Sequence, residues 1–470
     1  MKHTALGMMS AMFCASAFGF EIAAWRGETV AELPPDNVEL GEAAPAGLGV
    51  RVGTLRPVRY ALKIGAMQFG EAYDRVEWGV VDGNGPRVVE VSVPADAKPG
   101  VYRYGTMDIR VIDRVLPPAK DWKYYLDLWQ HPWAVARVAK VKPFSKEHYA
   151  AMRPVYELLA SAGQKALTVS ILEQPWNHQC YDAYHSMIGR EKLADGSWKF
   201  DYTVFDEFVE FGRSCGIGPD IACYTLCSWG SQLQPGSEGY EEYWSDFLVD
   251  FAKHLKAKGW YENTLIAMDE RTPEQVKLVS DFLRKRAPGM RIAMAGNRKP
   301  SDFKGIDINV YAQVLMDKYL TPEFLAEAKE RRARGFVTTH YVCCSPLKPN
   351  TFTGSGAGEA FFCGAVPAAI GLDGFLRWAW NSWPQNPNVD SSYGTWSPGD
   401  TYLCYPGGAP SWRFLDLRNG IAAAEKLRIL RESGADTAEI DRLYVVADAN
   451  SGKCDYADVR KRTLGFVNRK

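Results

Sequence analysis

What this chain has little of narrows the reading first. Its 55 lysines and arginines nearly cancel 56 aspartates and glutamates, leaving a net charge of −1 over 470 residues. So even a balance gives no electrostatic reason to expect nucleic acid or a membrane surface as partner. Beyond the opening segment no apolar run reaches bilayer-spanning length, so no integral membrane segment is expected in the processed chain. Histidines number only seven, and neither His131 nor His340 has a second His or Cys at ligand spacing. Both read as hydrogen-bonded orienting groups, and no metal is expected. The ten cysteines include no paired CxxC knuckles, which argues against structural zinc. Gly354-Ser355-Gly356-Ala357-Gly358 lacks the lysine of a P-loop and the spacing of a dinucleotide fingerprint, and Ser228-Trp229-Gly230-Ser231 lacks the GxSxG of a nucleophile elbow. No cofactor is expected. Internal repeats of 20 to 50 residues and low-complexity tracts are also missing.

What is present begins with a leader pattern. Met1 to about Gly19 carries Lys2 and His3, an apolar run from Ala5 through Phe13 and small residues in Ala15-Ser16-Ala17. This is the pattern of a secretory signal, too short to span a bilayer, and it predicts a soluble periplasmic or secreted protein. Phe13 stands where lipoprotein signals have a small residue, so no lipid anchor on Cys14 is expected. The nine remaining cysteines are odd in number, leaving at least one thiol free or paired between chains. Adjacent Cys343 and Cys344 are assigned to packing. Nothing in the sequence specifies an oligomeric state.

From residue 20 to 115 short alternating runs (Val50 to Val52, Tyr60 to Ile64, Val76 to Val80, Val88 to Val93, Met107 to Ile112) are separated by turn signals such as Asp82-Gly83-Asn84-Gly85-Pro86. Many short strands at this spacing predict a β-sandwich supporting a second module. Two prolines stiffen the expected linker, residues 116–120. From 121 to 470 strand-like runs alternate with helical ones. The strands are expected at Tyr124 to Leu128, Ala166 to Leu172, Asp220 to Tyr224, Thr264 to Glu270, Arg291 to Ala295, Ile306 to Tyr311, Phe336 to Tyr341 and Gly374 to Trp380. Eight such alternations predict an α/β fold, a closed (β/α)8 TIM barrel behind the sandwich.

Thr264-Leu265-Ile266-Ala267-Met268-Asp269-Glu270 draws most attention, because a strand-length apolar run ends in two adjacent carboxylates. Carboxyl ends of barrel strands carry the active site, and neighbouring acids raise one another's pKa, which prepares a general acid. The plainer alternative has Asp269 capping the next turn and Glu270 pairing with Arg271. Residues just past each strand should converge on the same mouth: Trp129, Gln130 and His131; Glu173 and Gln174; Gly296 and Asn297; Tyr311 and Gln313; His340 and Tyr341; Trp380, Asn381 and Trp383. Of these, Glu173, Asn297, Tyr311, His340, Tyr341, Trp380 and Asn381 are the candidate substrate-binding residues. Amides for hydroxyls and rings for the apolar sugar face suit a carbohydrate substrate. Arg377 is a candidate partner for one of the acids.

Leu372-Asp373-Gly374-Phe375-Leu376-Arg377-Trp378-Ala379-Trp380-Asn381-Ser382-Trp383, followed by Gly399 to Gly407 and Pro410-Ser411-Trp412-Arg413, resembles glycoside hydrolase family 123, the exo-acting β-N-acetylgalactosaminidases and their relatives. The resemblance implies that Asp269 and Glu270 are the family's adjacent catalytic acids. It further implies substrate-assisted hydrolysis, in which the sugar's own 2-acetamido oxygen attacks the anomeric carbon, an exception to the two-carboxylate scheme. Asp269, ionised, would hold the acetamido N–H, and Glu270, protonated, would serve as acid and then base. The tandem requires a bend at Met268 to Arg271, since successive side chains of an extended strand face opposite ways. Arg271 stands where the family often has proline, and Leu415 and Ala423 where carboxylates are expected. Two rivals remain: a conventional retaining glycosidase with Glu173 as nucleophile, and a carbohydrate-binding protein without turnover.

Overall fold

A computed structural model describes residues 19–64, 66–230 and 233–469. All of the expected export signal except Gly19 lies outside the described residues. Seven strands come first: β1 Glu21–Arg26, β2 Thr29–Glu32, β3 Gly49–Ile64, β4 Ala66–Trp78, β5 Arg87–Ser92, β6 Gly100–Tyr104 and β7 Met107–Val115. They form a three-stranded sheet, β1-β7-β6, and a four-stranded sheet, β2-β5-β3-β4. Ile22, Ala24, Val89, Val91, Ile109 and Val111 fill the space between the sheets. Trp25, Ala31, Leu55, Val58, Val76 and Val88 instead share one continuous core with the rest of the chain.

The second part runs β8 Tyr125–Leu128, α1 Pro132–Ala139, α2 Lys146–Ala160, β9 Ala166–Ser170, the hairpin β10 Gly189–Lys192 and β11 Trp198–Asp201, α3 Thr203–Ser214, β12 Asp220–Tyr224 and α4 Tyr240–Ala257. It continues through β13 Thr264–Asp269, α5 Pro273–Arg286, β14 Arg291–Gly296, β15 Val310–Val314, α6 Pro322–Ala333, β16 Val337–Tyr341, α7 Glu359–Ile370, β17 Gly374–Arg377 and α8 Trp412–Glu432. The eight-stranded sheet, β8-β17-β16-β15-β14-β13-β12-β9, is parallel throughout. Its last seam, between β8 and β9, is stitched by Lys165 N–H donating to Leu126 O at 2.9 Å and by Gln130 and Thr168, each taking the other's backbone N–H on its side chain. The result is a (β/α)8 barrel behind a four-stranded antiparallel sheet and a three-stranded mixed sheet in which β1 runs parallel to β7.

Side-chain caps fix where helices start. Ser145 accepts from His148 N–H, and Thr272 and Gln275 form a reciprocal capping box that begins α5 directly after the acidic pair. Buried ion pairs tie the sandwich to α8: Arg413 with Asp74 at 2.9 Å, Arg418 with Glu90, and Lys426 with Glu28. Removing one partner of such a pair leaves an uncompensated buried charge, so these contacts lock the register between the two parts. Leu415 and Ala423 lie buried on the same helix. Among the described residues no helix is long and apolar enough to cross a membrane.

Candidate active site

The apolar run of β13 is buried from Thr264 to Met268 and ends at the half-buried Asp269. The next residue breaks the strand. Glu270 has φ 51°, in the left-handed region that non-glycine residues rarely occupy, while its N–H still donates to Ala295 O of β14 at 2.8 Å. Such a conformation costs on the order of 1 to 3 kcal/mol and persists only where its surroundings enforce it. The bend is what two consecutive side chains need to enter one cavity.

Each carboxyl is held by different donors. Tyr341, the last residue of β16, donates its hydroxyl to Glu270 Oε1 at 2.6 Å, and Asn297 Nδ2, just past β14, donates to Oε2 at 3.3 Å. Burial, followed by the charge of Glu270, pushes the Tyr341 phenol up, so it remains a donor at any working pH. Trp229 Nε1–H donates to Asp269 Oδ2 at 2.9 Å. Its ring, 38% exposed, lies 4.4 Å beneath the Arg271 guanidinium. Arg271 donates to Asp269 O at 2.7 Å and to Ser228 O at 3.0 Å, and so clamps the Trp229 turn to the end of β13. Arg271 binds backbone here and makes no ion pair with Glu270. Burial first, and the neighbouring Glu270 charge second, push Asp269 up to about 7, against the lowering pull of the Trp229 bond and the Arg271 charge.

Of the seven expected substrate-binding residues, Asn297 and Tyr341 bond Glu270, and the other five make no bond to the acidic pair. Tyr311 is the second residue of β15 and faces the outer layer, its hydroxyl on Arg298 O and its ring near Arg331 of α6. A side chain at Gly296 would collide with that ring, so the glycine serves wall packing. His340 also faces outward: Nε2 lies 2.9 Å from Cys363 O of α7, and burial lowers its pKa to about 3. Trp380 is buried against Phe414 of α8, and Asn381 holds both backbone groups of His131, at 2.8 and 3.0 Å. Neither reaches the mouth. Glu173 is exposed on a loop, bonded to His185 Nδ1 at 2.9 Å and Ser186 N–H at 2.8 Å, with no bond to either acid. Gln130, His131, Gln313 and Trp383 are buried, and Arg377 pairs with Asp400 at 2.9 Å rather than with the catalytic candidates. Trp229 and Arg271 are the site residues that sequence reasoning passed over. An exposed tryptophan in a Gly/Ser turn following β12 was the available signal for the first. Among the described residues no group of three or more His, Cys, Asp or Glu could hold a metal.

The family model "Glycoside hydrolase 123, catalytic domain" matches residues 129–430. A family 123 glycoside hydrolase from Clostridium perfringens, from a structural study of glycolipid glycan hydrolysis, is similar at TM-score 0.80 with 22% identity over 96% of this chain and 94% of that one. Looser likenesses include a family 39 enzyme from Xanthomonas axonopodis pv. citri, at TM-score 0.40 and 10% identity over 65% of this chain and 67% of that one. The xylanase 10B modules from Clostridium thermocellum reach TM-score 0.38 at 9% identity, over 84% of each chain. No curated protein matches the sequence.

Proposed function

The chain belongs to glycoside hydrolase family 123, and on that premise we propose an exported retaining enzyme that removes a terminal β-linked 2-acetamido sugar, N-acetylgalactosamine foremost, from a glycan or glycolipid. The observation that carries this reading is the left-handed turn at Glu270, which gives Asp269 and Glu270 separate donors at one mouth.

The chemistry follows from the two environments. The acetamido N–H of the bound sugar donates to Asp269, adding a second donor to that of Trp229. As the acetamido oxygen closes on the anomeric carbon, positive charge grows on the oxazolinium, and the Asp269 anion stabilises it. Glu270, on the other face of the scissile bond, gives its proton to the departing oxygen and then takes one from the attacking water, and configuration is retained. Tyr341 and Asn297 keep the Glu270 carboxyl in one orientation through both steps.

A panel of aryl β-glycosides differing only at C2 and C4 tests the proposal. Cleavage that requires the 2-acetamido group supports it, and preference between the C4 epimers identifies the sugar. Equal cleavage of the 2-hydroxy glycosides would reject assistance by the substrate.

A further inference from the structure

Two residues past Tyr341 the chain presents adjacent thiols whose sulfurs lie 3.8 Å apart. Cys343 is half-buried and packs against the core as expected, but Cys344 is exposed, so the packing expected of the pair holds for Cys343 alone. The five fully buried cysteines are Cys215, Cys223, Cys227, Cys363 and Cys404, whereas Cys180 and Cys454 are half-buried. The backbone beneath the pair is clamped from inside: Asn350 Nδ2 donates to Cys343 O at 2.9 Å and Pro346 O at 2.6 Å, and Arg377 Nη1 donates to Val342 O at 3.1 Å. We propose that Cys343 and Cys344 form a redox-active dithiol on the active-site rim, which closes to a vicinal disulfide by exchange with small-molecule disulfides and thereby alters the Tyr341–Glu270 contact.

The geometry assigns the order of events. Cys344, the solvent-facing sulfur, attacks. The contact between the two sulfurs holds its pKa below the ordinary thiol range, although burial and the Asp400 and Glu270 charges oppose this. The Cys344 thiolate adds to one sulfur of RS–SR, forming Cys344–S–SR and releasing RS⁻. Cys343 Sγ, its proton passing to the released thiolate, then attacks Cys344 Sγ and expels the second RS⁻, which takes a proton from solvent. The protein loses two electrons and two protons, and RSSR becomes two RSH. Neighbouring Cα atoms across a trans peptide are about 3.8 Å apart, shorter than the roughly 4.4 Å lower limit of ordinary disulfides. A bridge between adjacent residues is therefore strained and readily reduced, the property of a reversible site. Val342 is the only residue between the pair and Tyr341, so closure, which turns the Cys343–Cys344 peptide off its Asn350 bond, shifts Tyr341 and disturbs its hydroxyl on Glu270.

The test incubates the full chain with oxidised glutathione and reads intact mass and mapped peptides. The expected result is loss of two hydrogens, a bridge mapping to Cys343–Cys344, and reversal by dithiothreitol. Cys343→Ser should stop at the glutathione adduct on Cys344, and Cys344→Ser should form neither bridge nor adduct at this loop. A stable adduct on Cys344 of the wild type, or no reaction there, overturns the dithiol. The coupling arm rests on the proposed reaction: hydrolysis of an aryl 2-acetamido glycoside should fall several-fold in the bridged protein, recover on reduction, and stay unchanged by the same treatment in Cys344→Ser. Unchanged activity of the fully bridged protein overturns the coupling. If neither redox state cleaves any 2-acetamido glycoside, the proposed reaction fails while the mass result still decides the dithiol.

Discussion

Replacing Asp269 by Asn should make the protein more stable above pH 7 while removing its activity. The carboxyl rises from an ordinary 3.8 to about 7 because the fold buries it beside Glu270. A group whose folded pKa is raised binds its proton more tightly in the native state, so stability is greatest below the unfolded pKa and falls as pH rises toward the folded value. At 1.36 kcal/mol per pH unit the rise of about three corresponds to roughly 4 kcal/mol as an upper bound. Asp269 keeps some access to the open mouth, and an amide is also costly to bury, so about 2 kcal/mol is the working figure. Asparagine retains an oxygen to accept from Trp229 Nε1, so the substitution deletes charge more than contact. In a unit this large, ~2 kcal/mol is roughly 2 to 4 °C in Tm. Thermal unfolding of both proteins across pH 4 to 9 reads it: the difference should be near zero at pH 4, grow between pH 4 and 7, and level off above. A difference constant with pH, or a less stable variant at pH 8, would refute the argument that Asp269 is held at an electrostatic cost.

Glu270→Gln should lose roughly 10² to 10⁴-fold in kcat/KM on glycosides with poor leaving groups, and far less on those with activated ones, as measured with a leaving-group series. Tyr341→Phe removes the 2.6 Å donor to Glu270 and should lower kcat about tenfold, the equivalent of ~1.4 kcal/mol, with KM little changed. Because the Trp229 bond lowers the pKa of Asp269, Trp229→Phe should move the acidic limb of the pH–rate profile, set by ionisation of Asp269, to higher pH; an unmoved limb would mean that Asp269 is not the group titrating. His340→Gln, which can still donate to Cys363 O, should leave KM within about twofold, since His340 lies behind the barrel wall.

Much of the scaffold was legible because buried parallel strands read as short apolar runs separated by helical segments, and that pattern placed Asp269 and Glu270 at a strand end. The same property hid the facing of residues within strands. When both faces of a strand are buried, alternation vanishes, so nothing in Val337-Thr338-Thr339-His340-Tyr341 marks His340 as outward and Tyr341 as inward. The sixth barrel strand shows the cost of trusting alternation: Ile306-Asp307-Ile308-Asn309 reads as period two, yet β15 begins only at Val310, which puts Tyr311 near the strand's start instead of its rim. Trp380 and Asn381 lie beyond the end of β17, where the chain folds back and Asn381 bridges to Tyr402, so long-range packing under α8 sets their place. The Arg271 clamp on Trp229 joins two loops about forty residues apart in sequence, and no local pattern encodes such a contact.

The claim on which the account depends is that the substrate's own amide, positioned by Asp269, is the nucleophile. The most direct measurement is kcat/KM for aryl 2-acetamido glycosides whose acetyl group carries zero, one, two and three fluorines. Each fluorine makes the amide oxygen a poorer nucleophile while leaving the ring and the leaving group alone. The account predicts a steep fall along the series and no covalent sugar–protein adduct at any stage; a flat series, with a trapped glycosyl ester on Glu173 or another carboxylate, would contradict it.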